Sequence, residues 1–421
     1  MNFVIKPGPV KGRVAAPASK SHTIRSVFFA SLADGVSTIL NPLVSTDSQS
    51  ALSAVTLMGA QVDMFEGKWT IAGSGGRVCA PPSLVDVGNS GTTARLALSM
   101  ASLGFAPITI TGDEQTRARP MGPLIEALAN LGARTKSNSG GLPATIEGPI
   151  NGGDTFIDGA TSQYLSSLLI HTPLAPKDSV LSLNSLNEKP YVDMTLKWLD
   201  DLGVDYRREG YSKFYIRGGQ QYKPFEKSIP ADFSSATFFA CLGAIPGNEV
   251  TLTGLDMNDT QGDKAVFDYL ARLGANVSFN NQSVTVSGEK LKGAHLDLNA
   301  TPDALPALAA LASIAEGTTV LGNTPQARLK ETDRIAVMAK ELGKMGIVCE
   351  EKPDALIIHG GKPKGALLSG HGDHRVVMSL AVAASASSGE SRIDTAEAVA
   401  ITFPDFAALF ADCGGSIKEE K

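Results

Sequence analysis

One short motif, a large residue followed by glycine and a small or β-branched residue, recurs six times along the chain. The copies are Met58-Gly59-Ala60, Leu131-Gly132-Ala133, Leu202-Gly203-Val204, Leu273-Gly274-Ala275, Met345-Gly346-Ile347 and, more loosely, Cys413-Gly414-Gly415. Successive glycines lie 68 to 73 residues apart. In each copy a helical apolar pattern runs into the glycine and a β-like run leaves it. Glycine takes up the left-handed backbone that ends a helix without a Cβ clash, so each copy reads as a helix stopped by glycine and followed by a strand. The period exceeds that of ordinary solenoid repeats and points to six duplicated α/β subdomains.

A chain of 421 residues is longer than one core usually supports, and two domains of three units each is the natural division. Apolar stripes at helical spacing predict helices over 20–33, 92–103, 121–131, 162–170, 191–202, 234–243, 264–273, 304–315, 333–345, 374–387 and 404–412. Short β-like stretches such as Ile108-Thr109-Ile110, Phe214-Tyr215-Ile216 and Val284-Thr285-Val286 lie between them, which makes the class α/β. The polar stretch Gly218 to Pro224 reads as a hinge, and a cleft between two domains is where a ligand is expected. Gly73-Ser74-Gly75-Gly76 reads as a hairpin turn.

With 43% hydrophobic and 19% charged residues the composition is that of a soluble globular protein, and no apolar run approaches the length that spans a bilayer. The start, Met1 to Pro7, reads as a strand and not as a leader, so a cytoplasmic location is expected. Cys79, Cys241, Cys349 and Cys413 form no C-x-x-C pair and read as free thiols. A formal net charge of −6 and few stacking aromatics argue against a nucleic-acid binder.

The basic residues nevertheless gather where turns enter helices. Ser19-Lys20-Ser21-His22-Thr23-Ile24-Arg25 offers a cap, free N–H groups, an ammonium and a guanidinium in one helical turn, a suitable anion site. An ordinary capped helix with surface cations fits the same residues. Gly88-Asn89-Ser90-Gly91-Thr92-Thr93-Ala94-Arg95 repeats the design without the G-K-[ST] of a Walker loop. Arg117 and Arg119 lie on the turn before Pro120, and Thr161-Ser162-Gln163 opens another helix, where simple capping is an even alternative. Lys330 and Arg334, spaced i,i+4, read as sharing a helical face. Gly370-His371-Gly372-Asp373-His374-Arg375 opens a further helix; no third ligand motif accompanies the two histidines, so no metal is expected. Asp303 is an acid–base candidate or only an N-cap. Taken together, so many cationic helix starts in an acidic chain point to small polyanionic substrates, with Lys20, Asp303, Glu331 and His374 as acid–base candidates.

These motifs, with Lys189-Pro190-Tyr191, Asp232, Ser234-Ser235, Arg328 to Arg334 and Thr402-Phe403-Pro404, resemble the enolpyruvyl transferases along the whole chain, and within them the branch acting on shikimate 3-phosphate. The resemblance implies an inside-out α/β barrel-like fold: two similar domains, each of three βαβαββ repeats packed helices-inward. It places residues 15–230 in the first domain and 231–421 with the N-terminal strand 1–14 in the second, closing over substrate. The implied reaction passes the enolpyruvyl group of phosphoenolpyruvate to the 5-hydroxyl of shikimate 3-phosphate in a monomer, with no metal or organic cofactor. Lys20, Ser21, Arg25, Thr161, Ser162, Gln163, Tyr191, Asp303 and Lys330 would hold shikimate 3-phosphate. Lys20, Gly91, Arg119, Gln163, Arg334 and Arg375 would hold phosphoenolpyruvate. Asp303 would take the hydroxyl proton, Glu331 with Lys20 would manage the proton at C3, and His374 would help near the leaving phosphate.

Three departures stand out: Ile401 where many members have lysine, Glu188 where serine is frequent, and Gln326 where asparagine is common. The rival branch, acting on UDP-N-acetylglucosamine, uses a cysteine in the loop that matches residues 112–120, which holds none here, and an asparagine where this chain has Ser21. A binding protein without catalysis is the other alternative, and the retained acidic residues speak against it.

Overall fold

All six repeat glycines have positive φ, from 70° at Gly203 to 113° at Gly59. Each therefore ends its helix in the left-handed region and turns the chain into a strand, which opens a hairpin in five repeats and after Gly414 pairs with the N-terminal strand Asn2–Lys6. The computed structural model describes residues 1–280 and 283–421, and its strands form six open, mixed, four-stranded sheets, none closed into a barrel. The repeat ending at Ile216 shows the common plan. Strand Gly153–Phe156 leads to helix Ser162–His171, strand Ser179–Ser182, helix Lys189–Asp201 and the hairpin of Tyr206–Glu209 and Lys213–Ile216. The first two strands pair in parallel, the last strand pairs antiparallel to the second, and the third lies outermost.

Three of the six sheets borrow a strand from far along the chain, one of them Lys11–Ala15 beside Glu249–Thr253. Glu226–Ser228 pairs in parallel with Val36–Leu40, and Asn2–Lys6 pairs antiparallel with both Ser391–Ile393 and Ser416–Glu420. The chain divides into two compact units, Lys20–Ile229 and Met1–Ser19 with Pro230–Lys421, each with three sheets. The first crossing falls after Ser19, later than the expected boundary at residue 15. Strand Lys11–Ala15 pairs with Glu249–Thr253, the Ser19 N–H donates to the Pro230 carbonyl at 2.8 Å, and the Asp232 N–H donates to Pro17 at 2.7 Å. The stretch Gly218 to Pro224 is no hinge. Its Gly218 N–H donates to Asp178 at 2.9 Å, and buried Tyr222 donates its hydroxyl proton to the Ile170 carbonyl at 2.6 Å, which ties it into the unit it was expected to leave.

Two kinds of helix build each unit. Phe233–Ala244, Leu305–Ala312 and His374–Ser385 are buried along their whole length and pack on one another and on the strands of their own repeats. Lys20–Leu32, Gly91–Ala101 and Ser162–His171 are their counterparts in the other unit, where Phe28 meets His171 edge-on at 6.2 Å. The second helix of each repeat buries one face only, as in Val266–Leu273, where Val266, Phe267, Tyr269, Leu270 and Leu273 turn inward. Helix Thr46–Leu57 escapes the sequence pattern because its first turn is polar and its buried apolar residues begin only at Ala51, and its capping box closes with Ser45 and Ser48 in place of an acidic partner. Gly73 to Gly76 form no hairpin. A Cβ at Gly73 would lie 2.3 Å from the Ala33 carbonyl, so the glycine lets the strand Lys68–Ala72 close onto the end of helix Lys20–Leu32.

Gly132 and Gly203 separate conformational strain from crowding. Both have positive φ, but a Cβ at Gly132 would lie 2.7 Å from Asn151 Nδ2, whereas none meets anything within 4 Å at Gly203. Gly203→Ala should cost about 1 kcal/mol from backbone strain alone, and Gly132→Ala about 2–3 kcal/mol, as shifts in the urea unfolding midpoint. Equal losses would show that crowding at Gly132 relaxes without cost.

Candidate functional site

The cationic residues singled out in the sequence gather near helix starts in two clusters, one per unit: Lys20, Arg334 and Arg375 lie in the first turn of a helix, Arg25 one turn on, and Arg119 and Lys330 in turns that precede helices. In the unit Lys20–Ile229, Lys20 opens its helix and its ammonium pairs with Asp47 at 3.1 Å. One turn on, Arg25 is buried, and donates to Thr195 Oγ1 at 2.8 Å, the Tyr191 carbonyl at 3.0 Å and the Ser21 carbonyl at 3.1 Å. Burial pulls its guanidinium down to about 10, partly opposed by the Tyr191 hydroxyl, so the group stays charged at neutral pH. Its bonds go to a neutral hydroxyl and backbone carbonyls, which hold the fork in place without spending its charge on a carboxylate.

Ser90 caps helix Gly91–Ala101, and the glycine after it has a steric purpose: a Cβ there would lie 2.2 Å from Arg119 Nη1 and 2.9 Å from Arg95 Nη1. Two guanidinium groups thus pack against a bare helix start. Arg95 binds the Gly91 carbonyl at 2.9 Å and Gln163 Oε1 at 2.8 Å, and lies 5.5 Å from the centre of the Tyr164 ring, linking the starts of two buried helices. Burial lowers its pKa, with the Tyr164 hydroxyl opposing and Arg119 adding to the shift. Arg119 is oriented by Asn89 at 3.4 Å. Sequence reasoning quoted Arg95 within its motif without giving it a role; its i,i+4 relation to Gly91 was the available signal.

The third helix start is occupied by the chain itself. Glu188 Oε2 accepts from Ser162 Oγ at 2.8 Å, from the Ser162 N–H at 3.1 Å and from Thr161 Oγ1 at 3.1 Å. Thr161 and Ser162 are the hydroxyl pair at the helix start that the sequence left even between capping and binding.

The second cluster, in the unit of Pro230–Lys421, centres on Arg334, whose side chain is 1% exposed. It donates to Asp373 through Nε at 2.8 Å, to Asp303 through Nη1 at 2.8 Å and to Glu331 through Nη2 at 2.5 Å. Lys330 and Arg375 also face Asp303, at 3.5 and 3.3 Å. Lys330 and Arg334 share no helical face, because Asp333 caps a helix that begins only at Arg334. Both cations still reach Asp303, since a turn and not a helix brings them there. Asp373 also caps its own helix by accepting from the Arg375 N–H at 2.9 Å, and takes a bond from Thr332 at 3.1 Å. Three cations and three carboxylates therefore balance one another.

The carboxylates are not equivalent. Burial alone would raise the Asp303 carboxyl, but Arg375, Lys330 and Arg334 outweigh it and hold it far below the usual range. Asp373 is likewise lowered, burial being overcome by Arg334 against the opposition of Glu331. Arg334 is raised above its ordinary value: desolvation would lower it, and Asp373, Glu331 and Asp303 reverse the sign. His374, expected near a leaving group, has a buried ring at the first position of helix His374–Ser385, next to Asp373, whose charged form it favours. His371 instead bonds buried Glu341 at 2.9 Å, and Gln326 donates to the Asn299 carbonyl at 2.9 Å.

Six repeats, each with a buried helix, and two clusters of charged residues gathered near helix starts have the architecture of the enolpyruvyl transferases. The enolpyruvyl transferase NikO from Streptomyces tendae shares that fold, with a TM-score of 0.80 over 99% of this chain and 98% of its own at 18% identity. The EPSP synthase (3-phosphoshikimate 1-carboxyvinyltransferase) family matches residues 4–409, and the chain belongs to that family. A relative from Acetivibrio thermocellus named 3-phosphoshikimate 1-carboxyvinyltransferase is 50% identical over 419 residues, covering 99% of each chain. One of the same name from Ruminiclostridium cellulolyticum is 48% identical, over 99% of this chain and all of the relative. An EPSP synthase structure from Acinetobacter baumannii superposes with a TM-score of 0.84 at 31% identity, covering both chains fully.

Asp303→Asn should lower the unfolding free energy at pH 7 by about 3 kcal/mol, the cost of leaving buried cations short of a partner. The folded carboxyl is depressed, so its contribution is complete above the unfolded pKa of about 3.9 and is lost as pH falls from there toward the folded value. Urea titrations of both proteins should show the gap narrowing below about pH 4. A gap constant from pH 7 to 3 would remove the depressed carboxyl from the account.

Proposed function

We propose that the two clusters divide the work of one reaction. The chain is an enolpyruvyl transferase: it passes the enolpyruvyl group of phosphoenolpyruvate to the 5-hydroxyl of shikimate 3-phosphate and releases phosphate, a step of aromatic amino-acid biosynthesis. The observation that carries the assignment of roles is Asp303 held by Lys330, Arg334 and Arg375. A carboxylate so strongly stabilised is a poor base. Anionic substrates that draw those cations away leave Asp303 with fewer counter-charges, and its proton affinity rises when the acceptor hydroxyl is in place. Substrate binding itself thus switches the base on.

In this reading Ser21, Arg25, Thr161, Ser162, Gln163 and Tyr191, with Lys20, Asp303 and Lys330, bind shikimate 3-phosphate. Gly91, Arg119, Gln163, Arg334 and Arg375, with Lys20, bind phosphoenolpyruvate. Lys20 with Glu331 delivers the proton to C3, which leaves cationic character at C2. The 5-hydroxyl oxygen attacks C2 and yields its proton to Asp303. Loss of a C3 proton and of phosphate from the tetrahedral adduct restores the double bond. Carboxylates facing the developing cation lower the barrier in a water-poor site. His374, beside Asp373, assists departure of the phosphate. The monomer is the working unit, since one chain carries every residue named. The cytoplasm is its place; no helix among the described residues is long and apolar enough to cross a membrane, and the four cysteines are free.

Purified protein given phosphoenolpyruvate should release phosphate with shikimate 3-phosphate and not with UDP-N-acetylglucosamine; the reverse preference overturns the assignment. Asp303→Ala should keep substrate affinities within about tenfold and lower kcat at least about a hundredfold, by steady-state kinetics. Near-normal turnover would take the base role from Asp303. Gly91→Ala places a methyl against the flexible ends of Arg119 and Arg95. It should raise KM for phosphoenolpyruvate by about tenfold and change KM for shikimate 3-phosphate by less than about threefold.

A further inference from the structure

Glu188 is an unusual occupant for its position. It is 1% exposed, adopts φ 57° and ψ 39° in the left-handed region, and directly precedes helix Lys189–Asp201 without capping it. Its side chain instead reaches the start of another helix, Ser162–His171, where one carboxylate oxygen takes two hydroxyl donors and a backbone N–H at 2.8 to 3.1 Å. This is the donor set that a phosphoryl oxygen would use, with the positive end of a helix dipole behind it. The carboxylate also acts on Arg95, whose charged form it favours.

We propose that Glu188 is a built-in competitor for the phosphate of the acceptor substrate: its carboxylate fills the Thr161–Ser162 cradle in the empty protein and leaves when the phosphate enters. The inference rests on the reading that these residues bind shikimate 3-phosphate. A dianion and a carboxylate cannot share three donors at hydrogen-bond distance, because like charges a few ångströms apart in a buried site repel strongly. The protein is therefore competent for phosphate only in the fraction of molecules whose Glu188 has swung out, and the apparent affinity falls by that fraction. The device weakens phosphorylated ligands without touching the recognition of the ring hydroxyls. It also leaves the cradle satisfied when empty, where unpaired buried donors would cost stability. A serine at this position would add a donor to the cradle in place of an acceptor charge.

The test uses the full chain with Glu188→Ser and Glu188→Gln, titrated by calorimetry with shikimate 3-phosphate and, separately, with unphosphorylated shikimate. The dissociation constant for shikimate 3-phosphate should fall at least about tenfold in Glu188→Ser and by a smaller factor in Glu188→Gln, which keeps the length and loses the charge. Shikimate should bind all three proteins alike. In kinetics KM for shikimate 3-phosphate should fall while kcat changes less than about threefold. Unchanged or weaker binding of shikimate 3-phosphate by both variants, with thermal midpoints near that of the parent, would make Glu188 a structural link between the two helices and overturn the proposal. Equal gains for shikimate and its phosphate would also overturn it, since a general loosening and not a phosphate competitor would then be responsible. Turnover by the unmodified protein separates the two readings: without phosphate release from shikimate 3-phosphate and phosphoenolpyruvate the functional assignment fails, whereas turnover with unaltered affinities in the variants refutes only the role of Glu188.

Discussion

A helix buried on every side tolerates charge only where a partner meets it, and that constraint organises the chemistry of this protein. Desolvating an unpaired charge in the middle of helix Phe233–Ala244 or Leu305–Ala312 would cost more than such a helix contributes, so those segments are built almost entirely of apolar and small residues. The backbone N–H groups of the first turn still need acceptors, and the helix dipole puts partial positive charge at the same place. Ser90, Thr161, Asp232 and Asp373 meet the first need as caps. Charge farther along a buried helix is met by oxygen partners, as with Arg25 on Thr195 and the Tyr191 carbonyl and Arg95 on Gln163 and the Gly91 carbonyl.

The two clusters solve the burial of cations in different ways. Around Arg334, charge is neutralised by charge: Asp303, Glu331 and Asp373 hold the guanidinium. Around Arg25 and Arg95 the guanidinium groups are held by carbonyls, hydroxyls and an amide, with desolvation lowering both pKa values. The first arrangement stores carboxylates whose basicity depends on what the cations do next. The second presents cations whose positive charge is less fully spent. Under the proposed function both arrangements serve two anionic substrates, with groups from each cluster binding substrate and moving protons.

The repeat period was legible because glycine at positive φ has no substitute of equal ease, and evenly spaced glycines at 59, 132, 203, 274, 346 and 414 mark six helix ends. Eleven helices were legible through their apolar spacing. Thr46–Leu57 was not, because its first turn, Thr46 to Gln49, is polar and its inward apolar residues, Ala51, Leu52, Ala54 and Val55, fill only its second half. The hinge reading of Gly218 to Pro224 failed for a related reason: polarity signals a surface loop, but only the bonds to Asp178 and Ile170 reveal that the loop is fastened down.

Local sequence determined the six-unit plan, the α/β class and the placing of cations at helix starts, since capping, glycine conformation and apolar periodicity act over a few residues. Tertiary structure decided which strands complete which sheet, so that Asn2–Lys6 joins Ser391–Ile393 and Glu226–Ser228 joins Val36–Leu40. It also decided the partners of each charge: Arg95 on Gln163, Asp303 among three cations, Glu188 in the cradle of Thr161 and Ser162. Such pairings join residues tens or hundreds of positions apart, and the electrostatic state of a side chain depends on the distance to its neighbours and on how much water remains between them, neither of which is written in the order of the residues.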